Sequence, residues 1–217
     1  MSLIKEFAIE PKVMAKWEHF NSLWEDFGVG KGRLISKYPP QWRQKVDEEL
    51  AKNPIGDIHT HSIKSKIWAG EHKFLVNCRT YAGTMDWLSK ACAQMSMDPF
   101  HAIIACENPN AGKAVLVAGE FAKDEPPFQI TTLGWNWVPR KAEALANCAS
   151  LLLNHCEAIR FVDPHFDPDT TGLRFRYKNT FEAMLSVRYS NAPKLRILEI
   201  HRRRPEGFVA AALHMCA

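Results

Sequence analysis

Residues 141–168, KAEALANCASLLLNHCEAIRFVDPHFDP, decide the fold class. Pro139 opens a helical period that runs to about His155 and sets Ala142, Leu145, Ala149, Leu152 and Cys156 on one apolar face. A short apolar run, 158–162, follows and stops at Asp163-Pro164. Downstream, a second helical period carries Tyr177, Phe181, Met184 and Leu185, and another apolar run occupies 195–200. Strand, helix, strand, with a connection long enough to hold a helix, predicts a parallel pair joined by a right-handed crossover. The expected class is α/β.

Working outward, residues 11–27 read as a helix. Val13, Trp17, Phe20, Trp24 and Phe27 recur at steps of three and four, Pro11 suits the first turn and Gly28 suits the cap. Residues 40–52 read as a second helix with Trp42, Val46 and Leu50 on one face. The stretch 53–80 has no clean period and reads as loop-rich. A third helix, 85–97, is entered from Thr84 and stopped by Asp98-Pro99. Two apolar runs, HAIIAC (101–106) and KAVLVA (113–118), flank a turn-rich linker, and 128–133 reads as a further strand. The organisation expected is a mainly helical region, 1–99, leading into an α/β region, 100–217, whose sheet is mixed and partly parallel.

Composition excludes several classes. The chain has 217 residues, 46% hydrophobic and 24% charged, too apolar for intrinsic disorder. Its notable apolar stretch, 208–213, is far short of the roughly 18 residues that span a bilayer. Lys5, Glu6 and Glu10 interrupt the first ten residues, which therefore hold no secretory apolar region. The six cysteines include no C-x-x-C pair, so reduced thiols in a cytoplasmic protein are expected, with no cofactor and no bound metal. Charge is uneven. Residues 172–206 hold nine bases and three acids, a net of +6 that leaves −2 for the rest of the chain. Such a segment points to nucleic acid or another phosphate-bearing partner, with Arg174, Arg176, Arg202, Arg203 and Arg204 as its phosphate-binding residues.

Three stretches could carry chemistry. Asp163-Pro164-His165-Phe166-Asp167-Pro168-Asp169 leaves the C-terminal end of a predicted strand, where open α/β sheets place their ligands. If the two prolines hold it extended, Asp163, His165 and Asp167 share one side as an acid/base set, or as ligands; the alternative is turn chemistry. Asp57-Ile58-His59-Thr60-His61 is similar to the opening metal motif of amidohydrolases. A helix end precedes it, however, and too few residues follow for the usual barrel of about 250, so His59 and His61 are expected in a loop without a common ligand point. The glycines of 28–33, GVGKGR, follow a helix rather than a strand and read as cap and turn, not as a phosphate loop.

The run 141–168, continued to RILEIH (196–201), resembles the first helix and following strands of phospholipase D-like domains. GKGRLISKYP, Trp42 and FHAIIACENP are similar to stretches of uncharacterised bacterial proteins that carry such a domain at the C-terminus. The resemblance implies a phospholipase D-like half-domain, apparently truncated. Active members of that family carry H-x-K-x-x-x-x-D, with the histidine attacking phosphorus, and no H-x-K occurs in this chain. It therefore implies a degenerate domain in a binding or accessory protein for phosphate or nucleic acid. The alternative is a phosphodiesterase or nuclease using His165, His201 and Asp163 in a non-standard site, with a metal-dependent hydrolase through His59 and His61 as a minor one. A homodimer covering an open strand edge and the apolar stretch 208–213 is expected.

Overall fold

The structure is a computed structural model that describes residues 4–76, 79–81, 85–109, 111–112, 114–128, 138–154, 156, 158–162, 171–188 and 197–201. The chain forms two compact units, one spanning Ile4–Trp135 and the other containing Asn136–Ala217.

The first unit is built on five parallel strands, Lys5–Ile9 (β1), Arg33–Ser36 (β2), Leu75–Val76 (β3), Ala102–Ala105 (β4) and Val115–Val117 (β5). Their order across the sheet is β3-β2-β1-β4-β5. Central β1 pairs Phe7 with Ile35 on one side and with Ala102 on the other. Its burial is nearly continuous, as expected for a parallel strand covered on both faces. Pro11–Met14 (α1), Trp17–Leu23 (α2), Trp42–Lys52 (α3) and Asp57–Phe74 (α4) share one core with Phe7, Ile9, Ile35, Leu75 and Ile104. Ala8, Ile103, Ala105 and Val115 point to the opposite face, where Trp87–Met97 (α5) contributes Ala91, with Trp87 and Leu88 packed alongside. The sheet is therefore a middle layer, and α/β is the class observed.

Several local expectations are corrected. Residues 57–74, read as loop, are the longest helix of this unit. Its buried positions, Ile63, Ile67 and Gly70, form a stripe too narrow to stand out in the sequence. The helix expected over 11–27 breaks at Lys16, whose backbone is extended (φ −96°, ψ 124°), and it ends in a 3₁₀ turn at Trp24–Asp26. The N-cap of α5 is Asp86, whose carboxylate accepts the Ser89 N–H at 3.0 Å. Helices dominate residues 4–99, yet β1, β2 and β3 lie among them. The unit boundary falls at Trp135/Asn136 rather than at 99/100, because β4 hydrogen-bonds to β1.

The second unit contains Ala142–Leu153 (α6), Ala158–Val162 (β6), Thr171–Ser186 (α7) and Ile197–His201 (β7). β6 and β7 are adjacent and parallel, in register from Ala158↔Ile197 to Val162↔His201, as their order in the sequence predicts. The inward face of α6 differs from the expected one. Ala146, Cys148 and Leu153 are buried, whereas Leu145 is 36% exposed. An apolar helix offers several faces of similar hydropathy, and packing chooses among them. Leu153, Cys156 and Ile159 form the core with Ala149, Met184 and Val187. The Arg188 guanidinium donates to the carbonyls of Leu153 and Cys156, capping the end of α6. The strand expected over 128–133 lies, beyond Phe128, outside the described residues, as does the stretch 208–213. Among the described residues, no helix is long and apolar enough to cross a membrane.

Candidate functional site

Of the residues singled out in the second unit, Asp163, His165 and Asp167 and the arginines Arg202, Arg203 and Arg204 lie outside the described residues. Arg174 and Arg176 belong to the first half of α7. His201 is the last residue of β7 and the register partner of Val162, the last residue of β6, so it stands at the C-terminal edge of that parallel pair. Lys178 of the same basic segment is exposed and lies 3.7 Å from Glu182.

In the first unit, β1 lies where the strand order reverses, so a ligand crevice is expected beyond the C-terminal ends of β1 and β4. Glu10 occupies that place. Its carboxylate accepts the Cys106 N–H at 2.8 Å, bridging the two strand ends. Burial pushes the Cys106 thiol up, and the neighbouring Glu10 charge adds to the effect. The thiol there is protonated and weakly nucleophilic, and a carboxylate at the crevice repels an anion. The residue following Glu10 is Pro11, which has no N–H to offer a phosphate.

His59 and His61 sit on α4, two residues apart and so on different sides of the helix, rather than in a loop. His59 stacks on Trp17 with ring centroids 4.3 Å apart and planes 6° from parallel. Among the described residues, no group of three His, Cys, Asp or Glu is placed to hold a metal. The glycine stretch forms a tight reversal into β2. Gly28 and Arg33 exchange backbone hydrogen bonds, and Gly28 (φ +113°) and Gly32 (φ +70°) take conformations that favour glycine.

A basic cleft emerges beside that reversal. It has a volume of about 450 Å³ and lies between the 3₁₀ turns at Trp24–Asp26 and Val29–Lys31 and one flank of α4. Lys31, Lys66 and Lys73 line it against a single carboxylate, Glu25. Among the described residues, none of these three lysines makes an ion pair. The other flank of α4 differs, because there Glu71 binds both Lys37 and Arg43 (2.5 Å to Arg43), and Lys64 lies 3.9 Å from Asp47. Asp26, next to Glu25, is likewise engaged by Lys123 at 2.5 Å. The cleft thus carries a positive charge that no ion pair among the described residues offsets.

Aromatic rings complete the cleft. Half-buried Phe74 stacks on buried Trp24 at 4.4 Å and 26°. Gly70 makes the stack possible, since a Cβ there would lie 2.6 Å from the Phe74 ring and 2.9 Å from Trp24. The sequence marks none of these residues as a ligand site. Once 57–74 is known to be helical, Lys66, Gly70 and Lys73 fall at i, i+4 and i+7, which puts them on one face.

Two histidines give this unit a pH dependence. Burial lowers His19, with Lys16 acting in the same direction and Glu18 against it. Burial also lowers His101, whose ring meets Phe7 edge-on at 5.2 Å; Lys5 and Arg33 add to this, and a hydrogen bond with the Pro127 carbonyl opposes it. Both groups bind protons more weakly folded than unfolded, so the unfolded chain takes up more protons once the pH falls through the ordinary value of 6.5. Stability is therefore fully present above that value and decreases below it. Thermal unfolding should show a midpoint that drops between about pH 7 and 6. His101→Gln should flatten the profile, and an equally steep variant would show that His101 is not responsible.

Comparison of the chain with protein-family models, with curated proteins and with solved structures gives no match.

Proposed function

We propose that the protein binds a phosphate-bearing ligand, nucleic acid foremost, in a binding or accessory role. The observation that carries this reading is the cleft in which Lys31, Lys66 and Lys73, unpaired among the described residues, converge around one carboxylate. Lysines bind phosphate as point charges and gain from displacing its counterions. The resemblance of 141–168 to phospholipase D-like domains, a family that handles phosphodiesters, supports the same reading, and so does the basic composition of 172–206. The missing H-x-K favours binding over catalysis.

Fluorescence anisotropy with a labelled oligonucleotide, repeated across salt concentrations, tests it. Affinity should fall steeply with salt. Changing Lys31, Lys66 and Lys73 together to glutamine should weaken binding at least tenfold. It should also reduce the log–log salt slope by about 2, since each phosphate neutralised on a single strand adds roughly 0.7 to that slope. Glu25→Gln should strengthen binding. Unchanged affinity in the triple variant would refute the cleft as the site.

A second reading, a phosphodiesterase or nuclease using His165, His201 and Asp163 with the arginines, has one observation in its favour. His201 closes β7 directly opposite the end of β6, on the edge where parallel sheets gather functional residues. Phosphodiester cleavage by the full chain, abolished by His201→Ala, would establish it.

A further inference from the structure

We propose that the occupant of the cleft is a single strand of nucleic acid, with its phosphates along Lys31, Lys66 and Lys73 and a base laid against Phe74; this rests on the phosphate-binding reading above. Lys66 and Lys73 stand two turns apart on α4, so their backbone positions are roughly 10 Å apart along the axis. That is a row of charges rather than one anchoring point, and it suits a chain of phosphates better than a lone anion. Lys31 adds a third charge to the same cleft from a different element, the 3₁₀ turn that precedes β2. The cleft also offers an apolar surface that a bare polyphosphate could not use. Phe74 lines it, and the ring is backed by Trp24, which stacks on it and is only 5% exposed.

Every base has a π-face, so a ring held in this way accepts any base that is free of a partner strand. A duplex keeps its bases stacked inside and could meet only the lysines. Gly70 and Gly28 contribute directly. A Cβ at Gly70 would lie 2.6 Å from the Phe74 ring, and one at Gly28 3.2 Å away. A side chain at Gly70 would push the ring from its place on Trp24, and one at Gly28 would crowd the ring and strain a backbone at φ +113°. Lys64, the third lysine of α4, faces Asp47 instead, whereas Lys66 lines the cleft with its ammonium 5.9 Å from the centre of the Phe20 ring.

The experiment uses the full chain and four probes: a labelled oligo-dT of about a dozen nucleotides, an abasic oligomer of equal length and charge, the corresponding duplex, and inorganic polyphosphate as competitor. Oligo-dT should bind at least about fivefold more tightly than the abasic oligomer, as one stacked base implies. It should also bind more tightly than the duplex. Phe74→Leu should remove the oligo-dT advantage and leave the abasic oligomer unchanged, while Phe74→Tyr should preserve it. Lys73→Gln should weaken both. Equal binding of oligo-dT and abasic oligomer, or duplex binding as tight as single-strand binding, would overturn the inference while polyphosphate competition still upheld the phosphate reading. Failure of every probe would overturn both. If Phe74→Leu did not fold, the wild-type comparison of the probes and Phe74→Tyr would still decide.

Discussion

Replacing Glu6 with alanine is expected to destabilise the Ile4–Trp135 unit by about 3 kcal/mol, because a buried arginine loses its two-point carboxylate partner. Glu6 lies on β1 and is 8% exposed. Arg79 grips it with both arms of the guanidinium, Nε to Oε1 at 2.9 Å and Nη2 to Oε2 at 2.6 Å. The Arg79 side chain is 5% exposed, reaches the Asp98 carboxylate at 2.9 Å and lies over the Phe100 ring. It thus ties the central strand to the chain that leaves α5. Losing Glu6 keeps the cation buried and removes its nearest anion. Changing both partners, Glu6→Leu with Arg79→Met, should cost markedly less, because no charge is then stranded. Six of the seven tryptophans fall within Ile4–Trp135, so fluorescence-monitored urea unfolding reports on this unit. A shift of less than about 1 kcal/mol for Glu6→Ala would mean that the pair is no more than a surface contact.

The second large effect is expected at Trp42. This side chain is fully buried, and its Nε1 donates to the Ile9 carbonyl at 2.6 Å, fastening α3 to the end of β1. Trp42→Ala removes the largest fully buried side chain among the described residues and should cost about 3–5 kcal/mol. Trp42→Phe keeps much of the volume, gives up the hydrogen bond and should cost about 1–3 kcal/mol. The two variants separate packing from bonding. If Phe proved as damaging as Ala, the N–H to Ile9 would be the principal contribution of Trp42.

The sequence was legible where one physical constraint acted alone. Trp42, Val46 and Leu50 announce α3 because they face the core while the rest of that helix, apart from Ala51, is polar, and all three are buried. The β6–α7–β7 unit was legible for a similar reason, since short apolar runs separated by a helix-length connection leave few topologies. β1 was not. Five residues, KEFAI, buried on both sides show no alternation, and a short apolar run carries no period of its own. α4 was hidden by its surroundings. It buries only a thin stripe, exposes Ile58 and Trp68, and carries lysines on both flanks, so hydropathy has no clear direction. Misreading α4 concealed the cleft as well, because Lys31 and Lys73 become neighbours only through the fold. The segment 163–169 was conspicuous in the sequence for its prolines and aspartates, a signal of local backbone chemistry that is independent of what the first unit assembles.

The position of β1 also constrains how the molecule is made. β1 is made before the other four strands of its sheet, yet it is the centre of that sheet, and one of its two neighbours begins only at Ala102. Until β4 has been synthesised, Phe7, Ala8 and Ile9 have an open backbone edge, and an apolar strand with an open edge is a target for other nascent chains and for chaperones. Helices α1 to α4 can gather against one face of β1 and β2 in the meantime, although Ile104, Ala118 and Phe128 complete that layer only later. Closure of the sheet must wait for Phe7 to pair with Ala102, a contact between residues far apart in the sequence, and pairing of that kind is slow.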